Sequence, residues 1–179
     1  MQNLRLAGMD PSVNSQEYLL ATLHRQENVD DKIRLAKAIK GLELVAEEFK
    51  LPLIFPVHPR TWKRILQFGI KVSDNIKVIE AVDYFAFLKL LEKAKLVLTD
   101  SGGVQEEACI LKVPCVTLRY NTERPETLEV GSNMLAGVEP ESILEKAKIM
   151  ISKSRSWKNP FGDGKAGERI VNIIINAVS

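Results

Sequence analysis

The feature that most narrows the fold is an alternation of two textures along the chain. Short runs rich in Leu, Ile and Val occupy residues 18–23, 53–57, 76–79, 96–99, 115–118 and 133–136. Longer amphipathic stretches lie between or after them, at 31–49, 61–67, 84–93, 104–111 and 140–152. An unbroken apolar run suits a strand buried on both faces, as in a parallel sheet covered by helices on each side. The pattern therefore predicts a doubly wound α/β domain with a mostly parallel, Rossmann-like sheet. Within the first helical stretch, Ile33, Ala36, Ile39, Leu42 and Val45 recur at three-residue steps and are expected to drift slowly around one helix face.

A length of 179 residues fits one domain, 1–179, with a real core. Residues 153–165 are loop by composition, and 166–178 read as a final helix with Ile170, Val171, Ile174 and Val178 on one side. Residues 1–8 read as a helical turn closed by Gly8, with Pro11 barring its continuation. A chain that starts partway through a helix is expected to have been cut from something longer.

Net charge is +2, with Lys and Arg scattered among Asp and Glu, so the concentrated basic stripe of a nucleic-acid binder is missing. A small anionic ligand needs only a few local donors and stays open. Cys109 and Cys115 sit in apolar surroundings and read as buried thiols. With two histidines and no clustered ligand spacing, a zinc site is not expected. No long apolar run suggests a signal peptide or membrane span, and a cytoplasmic location is expected.

Ligands of an open parallel sheet bind beyond the carboxyl ends of its strands, which selects the polar residues worth weighing. Asp100-Ser101-Gly102-Gly103 joins an apolar strand to a helix from Val104. Its glycines permit a tight turn and close approach, and the helix's free amides and dipole favour a diphosphate. The same residues fit a plain tight turn in which Ser101 or Asp100 caps the helix. Glu107, one turn on, suits ribose hydroxyls, or else belongs with Glu106 to a solvated face. His24 emerges at the mouth of the first strand beside Arg25, with Asn28 placed to cap the next helix. It reads either as a titratable donor to an anion or as a structural residue. Arg124 brings a second guanidinium, stiffened by Pro125. His58, between Val57 and Pro59, reads by default as a turn residue.

Taken in order, several segments resemble the non-hydrolysing UDP-N-acetylglucosamine 2-epimerases. They are His24-Arg25-Gln26-Glu27-Asn28, Pro56-Val57-His58-Pro59, Asp100-Ser101-Gly102-Gly103-Val104-Gln105-Glu106-Glu107, Thr122-Glu123-Arg124-Pro125-Glu126 and Asn159-Pro160-Phe161-Gly162-Asp163-Gly164-Lys165-Ala166. The resemblance runs from Tyr18 onward. It implies the C-terminal half of a GT-B fold, with residues 1–17 following a hinge and an N-terminal domain absent. It also implies interconversion of UDP-GlcNAc and UDP-ManNAc by elimination and re-addition of UDP, with no metal or other cofactor, in a homodimeric parent.

On that resemblance Ser101, Gly102 and Gly103 hold diphosphate, Glu107 the ribose, and His24, the catalytic candidate, flanks phosphates and sugar with Arg124. Phe87 falls near the uracil, though its period also suits the core. Arg25 and His58 match a second UDP-GlcNAc site of some bacterial members, most of whose other partners are absent. The family's acid/base carboxylates belong to the missing domain, so the fragment alone is expected to be inactive. Val82 replaces a Gln of some members, and Lys112 stands where a helix-ending Gly is expected. The rival readings are the donor half of a GT-B glycosyltransferase and a non-enzymatic UDP-sugar-binding module.

Overall fold

The computed structural model describes residues 17–178, so the expected turn over residues 1–8 lies outside it. Its strands are β1 (Leu19–Thr22), β2 (Leu53–Val57), β3 (Ile76–Glu80), β4 (Leu96–Thr99), β5 (Cys115–Thr117) and β6 (Asn133–Leu135). They form one six-stranded sheet in the order β3-β2-β1-β4-β5-β6. Every pairing is parallel. This is the doubly wound arrangement that the sequence predicts. The strand order reverses between β1 and β4, the neighbours that pair Leu19 with Leu96 and Thr22 with Thr99.

The helices are α1 (Gln26–Val29), α2 (Lys32–Phe49), α3 (Pro59–Gln67), α4 (Tyr84–Lys93), α5 (Gly102–Ile110), α6 (Pro125–Glu129), α7 (Pro140–Ile151) and α8 (Ala166–Val178). The short α1 and α6 follow strand ends where the sequence showed only polar motifs. Alternate residues of β1 feed two separate cores. Leu19 and Ala21 join the side built with α2, α3 and α7, while Leu20 joins the side built with α4 and α5. Both faces of the strand are therefore dry, as its unbroken apolar run requires.

The expected face of α2 is partly wrong. Ile39, Leu42 and Val45 are buried, but Ile33 is 68% exposed, and the inward face is completed by Leu35, Ala38, Gly41 and Ala46. Steps of three fall short of a 3.6-residue turn by about 60° each, so two steps carry Ile33 out of the core. Asp31 caps this helix, its carboxylate accepting from the amides of Ile33 and Arg34. Asn28, read as a cap, is fully buried and used elsewhere.

Lys112 ends α5 in the conformation a glycine would take, with φ of 62°. The helix therefore closes in the ordinary way, and the side chain offsets some of the left-handed strain. Its ammonium donates to the Trp157 carbonyl and lies 5.8 Å from the indole centroid. Trp157 is buried and donates from Nε1 to the Cys109 carbonyl at 3.0 Å. The loop over 153–165 is thus pinned to the end of α5. Cys109 and Cys115 are free and buried, and burial pushes the Cys115 thiol up to about 12. Helix α8 matches its expected bounds, yet Ile170, Val171, Ile173, Ile174 and Ile175 are all more than half exposed. No helix among the described residues is long and apolar enough to cross a membrane.

The close approach of α2 to α7 at Gly41 fixes a stability prediction. A Cβ at Gly41 would sit 2.5 Å from Ile143 Cδ1 and 3.1 Å from its Cβ, and Ile143 is fully buried in α7. Gly41→Ala gains up to about 1 kcal/mol of helix propensity but forces α2 and α7 apart. The expected net effect is a loss of about 1–2 kcal/mol in urea unfolding. Equal or greater stability in the variant would show that this packing is slack.

Candidate nucleotide site at the strand-order reversal

Two neighbouring strands whose connections leave in opposite directions open a crevice at their carboxyl ends. Here the crevice lies beyond β1 and β4. A cleft of about 240 Å³ occupies it, lined by Thr22, Leu23, His24, Pro56, His58, Ala81, Val82, Phe87, Ser101 and Val104. The structure thus brings His24, His58, Ser101 and Phe87 to one cavity. Phe87 also packs against the α4–α5 core, so its two readings coincide.

Asp100 organises the floor of this region, and the sequence reading gave it no role beyond capping. It is fully buried. Its carboxylate accepts from the backbone amides of His24 at 3.1 and 3.2 Å and of Arg25 at 3.0 Å. Asn28 Nδ2 adds a bond at 3.2 Å and reaches the Leu118 carbonyl at 2.9 Å. His24 Nδ1 lies 3.3 Å from Asp100 Oδ1. A buried carboxylate without partners would cost several kcal/mol, so these donors and the ion hold one another in place. The available signal was its position, the first residue after an apolar strand and beside a Ser-Gly-Gly turn.

Ser101 is the N-cap of α5 and its hydroxyl faces the Val104 amide at 3.5 Å, so the capping reading is correct for it. Gly102 and Gly103 are the first residues of the helix, which begins two positions before the expected Val104. Neither has positive φ, so the turn itself does not require glycine. Gly102 is small for another reason: a Cβ there would lie 2.7 Å from Glu123 Oε1. Gly103 leaves its amide open, with only Ser101 Oγ near its missing Cβ, at 4.0 Å. The first turn of α5 thus presents free amides and the positive end of the helix dipole beside the cleft.

The cations are less free than the sequence suggested. Arg25 pairs with Glu123, and its Nε donates to the Asp100 carbonyl at 3.3 Å. Arg119, almost buried, holds Glu123 at 2.5 Å and Glu27 at 2.9 Å. Arg124 pairs with Glu106, while its amide is fixed by Thr122 Oγ1 at 3.0 Å and Pro125 opens α6 behind it. Glu106 is therefore an ion-pair partner on a partly exposed face. Burial raises the Glu107 carboxyl above the usual range, and the nearby Tyr84 hydroxyl at the start of α4 opposes that shift. Gly102, Gly103, Glu107 and Arg124 border the helix end without lining the cleft. His58 caps α3, its Nδ1 accepting from the Arg60 amide at 3.2 Å, so the turn-residue reading also describes it.

A family model described as UDP-N-acetylglucosamine 2-epimerase matches residues 2–175. A UDP-N-acetylglucosamine 2-epimerase of Methanocaldococcus jannaschii is 50% identical over 186 residues, 97% of this chain and 51% of that protein. The chain thus spans about half the length of such relatives. A crystal structure of a Methanocaldococcus jannaschii UDP-GlcNAc 2-epimerase in complex with UDP-GlcNAc and UDP superposes with a TM-score of 0.84 at 50% identity, covering 94% of this chain and 49% of that one. A UDP-2,3-diacetamido-2,3-dideoxy-D-glucuronate 2-epimerase of Pseudomonas aeruginosa is 39% identical over 158 residues, 88% of this chain and 44% of that protein.

The carboxylate between two guanidiniums yields a pH prediction. The bond from Arg119, with help from Arg25, holds Glu123 at about 2 against an ordinary 4.5. A depressed carboxylate contributes stability that is complete above the unfolded value and is lost as pH falls toward the folded one. The wild-type chain should lose urea stability between those two values more steeply than Glu123→Gln, which lacks the titration. Parallel profiles would show that the ion pairs do not form in solution.

Proposed function

Because the chain belongs to the UDP-N-acetylglucosamine 2-epimerase family, we propose that it is the UDP-sugar-binding half of an enzyme that interconverts UDP-GlcNAc and UDP-ManNAc. The observation that carries this reading is the open first turn of α5 at the strand-order reversal, beside His24 and between paired arginines. There the amides of Gly102 and Gly103 hold the diphosphate, while the Val104 amide stays with the Ser101 cap. Arg124 leaves Glu106 to meet the phosphates, a charge-assisted contact replacing another. Glu107, near the Tyr84 hydroxyl, takes the ribose, and Phe87 borders the uracil. Relatives named for different UDP-sugars match this same half, which supports the nucleotide as its main ligand.

In this account the half-enzyme contributes leaving-group stabilisation. As the anomeric bond breaks, charge develops on the departing diphosphate, and fixed dipoles and cations already surround it. The elimination leaves a glycal-like intermediate. UDP adds back after the C2 proton has been exchanged by carboxylates that lie outside these 179 residues. The exposed apolar side of α8 supports a counterpart domain, since Ile170, Val171, Ile173 and Ile174 are all more than half exposed on one helix. By itself the chain binds UDP and does not turn over UDP-GlcNAc in the cytoplasm or in vitro.

Calorimetry with UDP and with pyrophosphate tests these assignments. Arg124→Ala should weaken both ligands about tenfold, because each has the phosphates. Glu107→Ala should weaken UDP and leave pyrophosphate unchanged, because only UDP carries a ribose. Equal losses for Glu107→Ala would move that residue to the phosphates, and a wild-type chain that ignores UDP would end the proposal.

A further inference from the structure

The cleft contains both histidines of the chain, and each has its Nδ1 beside a different kind of partner. At His24, Nδ1 faces the Asp100 carboxylate at 3.3 Å. A bare nitrogen lone pair there would sit 3.3 Å from a buried anion, so the proton belongs on Nδ1. At His58, Nδ1 accepts the Arg60 amide proton at 3.2 Å, so in the neutral ring the proton belongs on Nε2. Neither Nε2 has a hydrogen-bond partner among the described residues.

We infer that Asp100 is a positioning residue that locks neutral His24 as the Nδ1–H tautomer, so that His24 and His58 present opposite Nε2 faces to one cleft, a proton acceptor and a proton donor. Asp100 holds the His24 and Arg25 amides as well as the ring, so backbone and imidazole are fixed by one group. A consequence follows for nucleotide binding, and it rests on the UDP-sugar reading above. The lone pair on Nε2 repels a phosphate oxygen, so His24 can contact a diphosphate only after Nε2 gains a proton. Asp100 stands behind the ring, and Arg25 alongside is paired with Glu123. His58 already carries a donor and needs no proton.

Nitrogen-15 long-range correlation spectra of the 179-residue chain, recorded without nucleotide above the imidazole titration, test the assignment directly. The expected result is a protonated Nδ1 and bare Nε2 for His24, with the reverse for His58. A His24 protonated on Nε2, or the same tautomer in both rings, overturns the inference. The coupling to ligand is read by calorimetry in buffers of different ionisation enthalpy. UDP binding to the wild-type chain should take up a proton near neutral pH. Asp100→Asn should abolish that uptake and weaken UDP about tenfold. His24→Gln, which leaves Asp100 bonded to the same amides, should abolish the uptake as well. Unchanged uptake in a folded Asp100→Asn chain would make Asp100 merely structural, and so overturn the inference. If Asp100→Asn does not fold, the wild-type spectrum and His24→Gln still decide. Reversed tautomers in a chain that binds UDP would sink this inference alone. Tautomers as assigned in a chain that ignores UDP would support it and sink the nucleotide reading.

Discussion

A single buried carboxylate, Asp100, closes the end of the sheet where the strand order reverses. The chain leaves β1 toward α1 and leaves β4 toward α5, so backbone amides at the exit of β1 have no ladder partner. Asp100 accepts from two of them and from Asn28. Asn28 in turn reaches the Leu118 carbonyl just past β5, which ties the ends of β1, β4 and β5 together. The threonines one step before the exits reinforce the seam, their hydroxyls 2.6 Å apart. The position of His24 and the start of α1 depend on that one side chain.

Around this fixed floor the charges are balanced in pairs: Arg25 and Arg119 on Glu123, Arg124 on Glu106. Arginines that stood free beside a helix N-terminus would attract any anion. Paired ones release their carboxylate only to a ligand that offers equivalent bonds, which favours a diphosphate in fixed geometry over chloride or bulk phosphate. Glu123 fills the space that Gly102 leaves, so the glycine and the carboxylate are one packing unit.

Much of this was legible in the sequence because it rests on local pattern. The parallel sheet follows from apolar runs such as 53–57, and α8 from the spacing of Ile170, Val171 and Ile174. The cleft residues His24, Ser101 and His58 were found by their place after strands. What stayed hidden depends on contacts across long stretches of chain. Arg25 and Glu123 meet over 98 residues, and Asn28 and Asp100 over 72. Spacing within one helix suggested a solvated Glu106, because its partner Arg124 comes from another strand end. Gly102 was read as a turn glycine, because the carboxylate beside it is distant in sequence.

The central claim is that the first turn of α5 receives the diphosphate of a UDP-sugar. Backbone amide spectra recorded during titration with UDP test it most directly. The account predicts that the largest saturable shifts fall on Gly102 and Gly103, followed by His24 and Arg25. Shifts centred instead on the opposite end of the strands, where β2 and β3 begin, around Lys50, Asp74 and Lys77, would contradict it.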